Sequence, residues 1–589
     1  MSATTLPAAA LLGAALLVPL LLAALTLRLR GALLHALSWA ALPALAAALL
    51  LPTGTTLDLP WLLLGTRFAL DDTSAMFLAA TAALWTAGGL AARTELCSHP
   101  RAGRIALCWL LVLTGNVGVL VAQDVASFYA LFALMTFAAW GLIDVDGSTA
   151  SRRAARTYLT LSVFGEALII SALLLAVAAT GETDLSRLSA SLGRATAADL
   201  IIPLVIAGFG VKAGLPLLHL WMPLAYRAGP VAAVAVLGGA TLKAGLFAWI
   251  TVLPFGSSGA EHWGTALIAT GLTAAFGGAL IGITQRDARE VLAYSSVSQI
   301  GLVTVLLGAG LRVPELWALL LPVVTLFAVH HALAKGSLFL GVGAAARWPA
   351  AAHGARRAWL LAGLALPMLA LVGFPATSGA AAKLAMKSVL GEAGDPLIAL
   401  AVTLLGPATI GTTLLMGRYA WCLAHRPEGD PARPGALAPW LPGWTLGLAL
   451  MLGGVFLLPL HAASMAPIIE AGLALDALPG LLWPIVSGAL IAALAARWLR
   501  GVPVVPPTGV PPGDLLVPLE ALLGWSAARL RDAIELLTRG LSAGRGWSLR
   551  LLHGAAAGVD RAMSAEAPLR AGFALGFLAV LAALGLLIA

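Results

Sequence analysis

Apolar runs of about 20 residues, separated by short polar stretches, make up nearly the whole chain. They fall at 6–27, 31–51, 70–92, 105–122, 125–143, 157–180, 199–225, 230–253, 263–284, 291–310, 315–345, 358–390, 397–423, 440–460, 480–499 and 571–588. A run of that length with few charges suits a helix crossing a bilayer, so the pattern predicts an all-α polytopic membrane protein with about sixteen transmembrane helices. Two runs are interrupted. Pro216 lacks the backbone donor that a continuous helix needs, so the helix carrying Lys212 breaks just after it. Gly373-Phe374-Pro375 interrupts the run 358–390 in the same way. Broken helices persist at membrane depth only where their freed backbone groups face protein or a water-filled cavity.

The polar stretches differ sharply from one another. Arginines gather after odd-numbered runs, as in Arg93, Arg101 and Arg104, Arg152, Arg153 and Arg156, and Arg286 and Arg289. Loops after even-numbered runs hold only Arg67, Arg187, Arg194 and Arg312. By the positive-inside rule the odd loops are cytoplasmic and both termini extracytoplasmic, in a bacterial-type inner membrane. The first run lacks a convincing cleavage site and reads as a retained helix. Composition agrees with this picture, at 60% hydrophobic and 11% charged over 589 residues. The net charge of +8 therefore reports topology and implies no nucleic-acid partner. Cys97, Cys108 and Cys422 are scattered, and neither a metal motif nor a nucleotide loop is visible, so no cofactor is expected.

The five lysines, Lys212, Lys243, Lys335, Lys383 and Lys387, all fall inside apolar runs, whereas the thirty arginines fit loops, tail or run ends. Arginine stays protonated, but a buried lysine near other positive charge can exchange its proton. A charge at mid-membrane is costly, about 2.5–3.5 kcal/mol on insertion scales, and marks a functional hypothesis by default. His331 and Lys335 are four residues apart and share a helix face; His330 points elsewhere. Glu166 is the carboxylate placed deepest in any run. Glu166, Lys212, Lys243, His331, Lys335 and Lys383 together read as a proton path. Lys387, one turn on, snorkels outward.

Several of these residues also carry a resemblance. Lys212-x3-Pro216-x2-His219-x-Trp221-x-Pro223-x-Ala225 followed by Lys243, the stretch Gln285–Gly301, the pair His331-x3-Lys335, and Lys383 after Gly373-Phe374-Pro375 resemble the antiporter-like membrane subunits. These occur in respiratory complex I, Mrp-type cation/proton antiporters and membrane-bound hydrogenases. The resemblance implies two inverted five-helix repeats, proton translocation, and work inside a multisubunit complex driven by a redox partner or by sodium or potassium exchange. The chain itself shows no redox centre. In the family the fifth helix carries a glutamate where this chain has Ala133, which pairs with the lysine of the broken helix; Glu166, one helix over, is the replacement carboxylate.

The expected units are N-terminal scaffold helices (1–104), two repeats (105–253 and 263–423), C-terminal helices (424–500), a basic amphipathic cytoplasmic segment (501–570) and a terminal anchor (571–589). Alternative functions are a solute transporter, an anchor that energises a soluble partner such as an inorganic-carbon uptake protein, and a non-conducting structural subunit.

Overall fold

A computed structural model describes residues 5–29, 32–97, 99–348, 354–425, 437–454 and 477–498, together with positions 466, 467, 470, 510, 511, 525, 528, 529, 531 and 532. Those isolated positions apart, the expected segment 501–570 lies outside the described residues, as does the terminal anchor 571–589. Among the described residues 11 helices are long and apolar enough to cross a membrane. The protein is a mostly helical, polytopic membrane protein.

The N-terminal part departs from expectation in two places. The run 31–51 is not one helix: a 3-10 segment, Ala32–Ser38, turns into α2 (Leu42–Leu50) after α1 (Thr5–Leu29). Pro43 stands in the first turn of α2, where its missing donor costs nothing, and so fixes a new helix start. The all-α expectation also needs correction. Strand β1 (Thr55–Leu59) pairs antiparallel with β2 (Thr66–Leu70). In β2 Thr66, Phe68 and Leu70 are buried while Arg67 is exposed, the period-two alternation of a half-buried strand. The hairpin closes on a later element, because the Arg67 N–H donates to Asp124 Oδ2 at 3.0 Å.

The remaining helices are α3 (Asp72–Leu96), α4 (Ala102–Val121), α5 (Val125–Ile143), α6 (Thr149–Thr180), α7 (Leu185–Leu192), α8 (Ala198–Ala213), α9 (Trp221–Ala228), α10 (Val231–Val236), α11 (Leu242–Val252), α12 (Glu261–Gly282), α13 (Ala288–Arg312), α14 (Trp317–Arg347), α15 (Ala355–Val372), α16 (Ser378–Gly391), α17 (Pro396–Ala424), α18 (Leu441–Gly453) and α19 (Leu478–Trp498). The short helix α7 falls between apolar runs. Its buried Leu185, Leu188 and Leu192 repeat at helical spacing and lay it on the bundle.

Helix α13 runs through the core and is buried along its apolar length. It packs against α12 along a seam of small residues. Gly264, Gly271 and Gly278 recur every seventh position, and a Cβ at Gly271 would stand 2.6 Å from the Gly301 carbonyl oxygen. Backbones this close are how membrane helices gain contact without a hydrophobic driving force.

The two interruptions share one geometry. Gly214 and Gly373 end α8 and α15 in the left-handed region, at φ 85°, ψ 41° and φ 85°, ψ 39°. In each case the glycine N–H and the next N–H both bond to the carbonyl four residues before the glycine, Gly210 O or Leu369 O. Three residues after each glycine a non-glycine residue, Leu217 (φ 69°) or Ala376 (φ 61°), is also left-handed. Such positions cost energy for an L side chain and persist only where their surroundings impose them.

Candidate functional site

The broken helices bring buried amines next to freed carbonyls. Lys212, in the last turn of α8, is 4% exposed, and its Nζ donates to Tyr158 Oη at 2.9 Å. The Tyr158 hydroxyl donates in turn to the Thr136 carbonyl on α5 at 2.8 Å. Glu166 on α6 is buried and lines the same cavity of about 230 Å³ as Lys212, Tyr158, Ser162, Phe132 and Thr136. Gly165 and Gly208 make this meeting possible. A Cβ at either would lie 3.2 Å from the other's carbonyl oxygen, so α6 and α8 touch backbone to backbone beside Glu166.

The next amine follows a change of helix type. Between α10 and α11 a π turn spans Leu237–Thr241, and the Lys243 Nζ donates back to the Gly238 carbonyl at 3.1 Å. π turns insert one residue into a helix and are frequent at functional positions. Gly239 sets this turn against α14, since a Cβ there would meet the Ala332 carbonyl at 3.1 Å. Ala332 follows His331, whose ring nitrogens are both buried without a hydrogen-bond partner among the described residues. The charges of Lys243 and Lys335 both act on His331. The Lys335 Nζ donates to the Leu292 carbonyl of α13 at 2.8 Å. On the other side of α11, Gly245 packs against Lys212, with 3.2 Å from an added Cβ to the lysine Cβ. Helix α11 thus stands between the Lys212 cavity and the Lys243–His331–Lys335 group.

Lys383 completes the series. From α16 its half-buried side chain reaches back across the break, and Nζ donates to the Val372 carbonyl at 2.8 Å and to Thr409 Oγ1 at 3.3 Å. Val372 is the last residue of α15, so the ammonium sits at the negative end of a half-helix. Lys387 is exposed. Among the described residues no three His, Cys, Asp or Glu side chains converge as a metal site.

Several participants carry no signal in the sequence. Tyr158 reads as an ordinary aromatic of an apolar run. His330 faces away from the Lys335 side, as its spacing implies, yet it has a partner: its Nδ1 lies 2.8 Å from Ser378 Oγ at the start of α16, which links α14 to the second break. Glu290, expected among surface charges, has a 2% exposed side chain and pairs with Arg227 at 2.8 Å. Glu95 on α3 accepts from the Val231 and Ala232 N–H groups at 3.0 and 2.9 Å, fixing the start of the helix that leads to Lys243. At a separation of 136 residues nothing in the sequence signals the first of these contacts.

Residues 122–406 match the family described as NADH:quinone oxidoreductase/Mrp antiporter, TM. That stretch belongs to the family. Hydrogenase-4 component B of Escherichia coli is 33% identical over 245 residues, covering 40% of this chain and 36% of that protein. A Na(+)/H(+) antiporter protein of Alkalihalophilus pseudofirmus is 27% identical over 245 residues, covering 41% and 48%. Formate hydrogenlyase subunit 3 of Escherichia coli is 26% identical over 386 residues, covering 60% and 62%. The matched part of the chain thus spans between 36% and 62% of these relatives' length. The same fold occurs in the structure of an Mrp complex from Dietzia sp. DQ12-45-1b, with a TM-score of 0.62 at 21% identity over 80% of this chain and 100% of that one. It recurs in the membrane-bound sulfane sulfur reductase, an archaeal respiratory membrane complex, with a TM-score of 0.62 at 19% identity over 82% of this chain and 99% of that one.

Within this antiporter-like core the fifth helix turns Phe132 and Thr136 to the Lys212 cavity, and Ala133 lines no part of it.

Proposed function

We propose that the protein is a proton-translocating membrane subunit of a multisubunit complex. Glu166, Lys212, Lys243, His331, Lys335 and Lys383 form its path. One observation carries the reading: the Lys212, Lys243, Lys335 and Lys383 amines all lie inside the bundle, and each is held by a neutral oxygen. None of them forms an ion pair among the described residues. An amine held by a hydroxyl or carbonyl keeps its solubility in the bundle without being locked to a fixed counter-charge. A proton arriving at one position changes the balance at the next through the low local dielectric.

The reading includes about sixteen spans in the bacterial inner membrane, with extracytoplasmic termini and the unit boundaries inferred from the sequence. It also includes two inverted repeats, 105–253 and 263–423. The matching backbone angles at Gly214 and Gly373 support the repeats. So do the positions of Glu166, 17 residues into α6 (166 − 149), and Lys335, 18 into α14 (335 − 317), in helices of 32 and 31 residues. Protons are the transported ion, with sodium or potassium as counter-ion, and the energy comes from a partner subunit. Relatives named as hydrogenase and antiporter proteins support that assignment.

Ala133 favours a second reading, a non-conducting structural subunit. One experiment separates the two. In inverted membrane vesicles carrying the assembled complex, Lys212→Ala and Lys335→Ala abolish proton movement while subunit assembly on native gels is unchanged. Normal pumping by both variants would leave only the structural reading.

A further inference from the structure

Lys212 and Glu166 share a cavity but not a bond. Lys212 donates to Tyr158, and no ion pair joins it to Glu166 among the described residues. Glu166 Oε2 and Thr136 Oγ1, both buried, have no hydrogen-bond partner there. Tyr158 is held from two sides. Its proton is committed to the Thr136 carbonyl at 2.8 Å, and its ring stands edge-on to Trp221 with centroids 5.0 Å apart. The Trp221 indole is itself pinned, donating to the Val211 carbonyl at 2.8 Å. A phenol fixed in this way offers Lys212 lone pairs only. It can accept from an amine or an ammonium but has no proton left to give.

The geometry points to Tyr158 as a positioning residue: its hydroxyl is a neutral dock that holds the Lys212 amine off Glu166, so that the Lys212–Glu166 pair opens and closes across the cavity. This deepens the proposed proton path and rests on it. With the amine docked, Glu166 is left without the lysine. When the amine crosses, an ammonium meets a carboxylate, and passing one proton from Nζ to the carboxylate leaves a neutral amine and a neutral carboxyl with no other reactant needed. A second carboxylate at the dock would bind the ammonium more strongly than a neutral hydroxyl and hold it there, since charge-assisted bonds are about twice as strong. The absence of a glutamate at Ala133 and the presence of Tyr158 then belong to one arrangement. The titratable groups on the elements packed around Lys212 are Tyr129 on α5, Tyr158 and Glu166 on α6, His219 and Tyr226 in and after the break, and Lys243 on α11, turned to the far side.

The test uses the assembled complex in proteoliposomes with Tyr158→Phe, which keeps the ring against Trp221 and removes the hydroxyl. The ammonium loses an acceptor, so the rate at neutral pH falls about tenfold and the half-maximal point of the pH profile moves about one unit toward acid. In Glu166→Gln the same change produces no further displacement, because the partner across the cavity no longer titrates. A wild-type rate and profile in Tyr158→Phe, in a preparation where Lys212→Ala is inactive, overturns the dock and leaves the proton path standing. Activity in Lys212→Ala instead removes the path itself, and the dock with it. Should Tyr158→Phe fail to assemble, 4-fluorophenylalanine at 158 fills the hydroxyl's space with a far weaker acceptor. The same displacement then supports the dock, and an unchanged profile overturns it.

Discussion

Replacing Lys383 by methionine removes an ammonium while keeping a long unbranched side chain. Two bonds are lost, to the Val372 carbonyl at 2.8 Å and to Thr409 at 3.3 Å. Only the first is short enough to count fully. A hydrogen bond to a charged group contributes about 1.5–3 kcal/mol, and a cation at a helix C-terminus adds about 0.3–1 kcal/mol. Local opening of the second break should therefore become easier by about 2–3 kcal/mol, about 30-fold or more in the opening equilibrium. Hydrogen exchange read by mass spectrometry on a peptide covering 366–382 measures this directly. Lys383→Arg is the informative companion. It restores a cation at the carbonyl but does not give up its proton, so exchange protection should return while pumping does not. Unchanged exchange in Lys383→Met would refute the capping argument. Full pumping in Lys383→Arg would refute the need for a titrating group at this position.

Glu166→Gln should lower proton flux at least about tenfold with assembly intact, as expected for loss of one positioned proton carrier; an unchanged flux in the purified complex would remove Glu166 from the path. Asp395 caps the start of α17 and pairs with Arg312 at 2.7 Å. Burial alone would raise its carboxyl, but the Ile398 N–H, Arg312 and the Leu397 N–H outweigh it and hold it below the ordinary value. Its contribution is thus present at neutral pH and is lost as pH falls through that lowered value, below about 4. Asp395→Asn should lower thermal stability at pH 7, with the gap to wild type closing in acid. In a cysteine-free background, Arg545→Cys should be reachable only from the cytoplasm and Glu182→Cys only from outside, by impermeant maleimide in whole cells.

The membrane helices are legible in the sequence because burial in lipid demands long apolar runs: α5 matches the run 125–143 at both ends. The breaks are legible from Pro216 and Pro375, residues whose missing donors act wherever they sit. What happens next, the left-handed Leu217 and Ala376, depends on packing that no local pattern encodes. The hairpin 55–70 is hard to see because two five-residue strands between apolar runs carry too little alternation to stand out. Lys212, Lys243, Lys335 and Lys383 announce themselves because a charge among apolar neighbours is costly. Their partners do not, because three are backbone carbonyls, which any residue supplies, and the fourth is a tyrosine in a run where aromatics are common. The pair Gly238-Gly239 is a usable signal for the π turn. His330 escapes sequence reasoning because spacing within α14 says nothing of Ser378 on another helix.

The central claim is that charge passes along the lysine series, and Lys243 stands in its middle, beyond α11 from the Lys212 cavity. The most direct measurement is proton flux, followed with an entrapped pH dye in proteoliposomes holding the complete complex, while the partner's driving reaction is recorded in the same sample. For Lys243→Met the account predicts a driving reaction that continues or stalls with no proton flux in either case. Wild-type proton flux in that variant, at wild-type turnover, would contradict it.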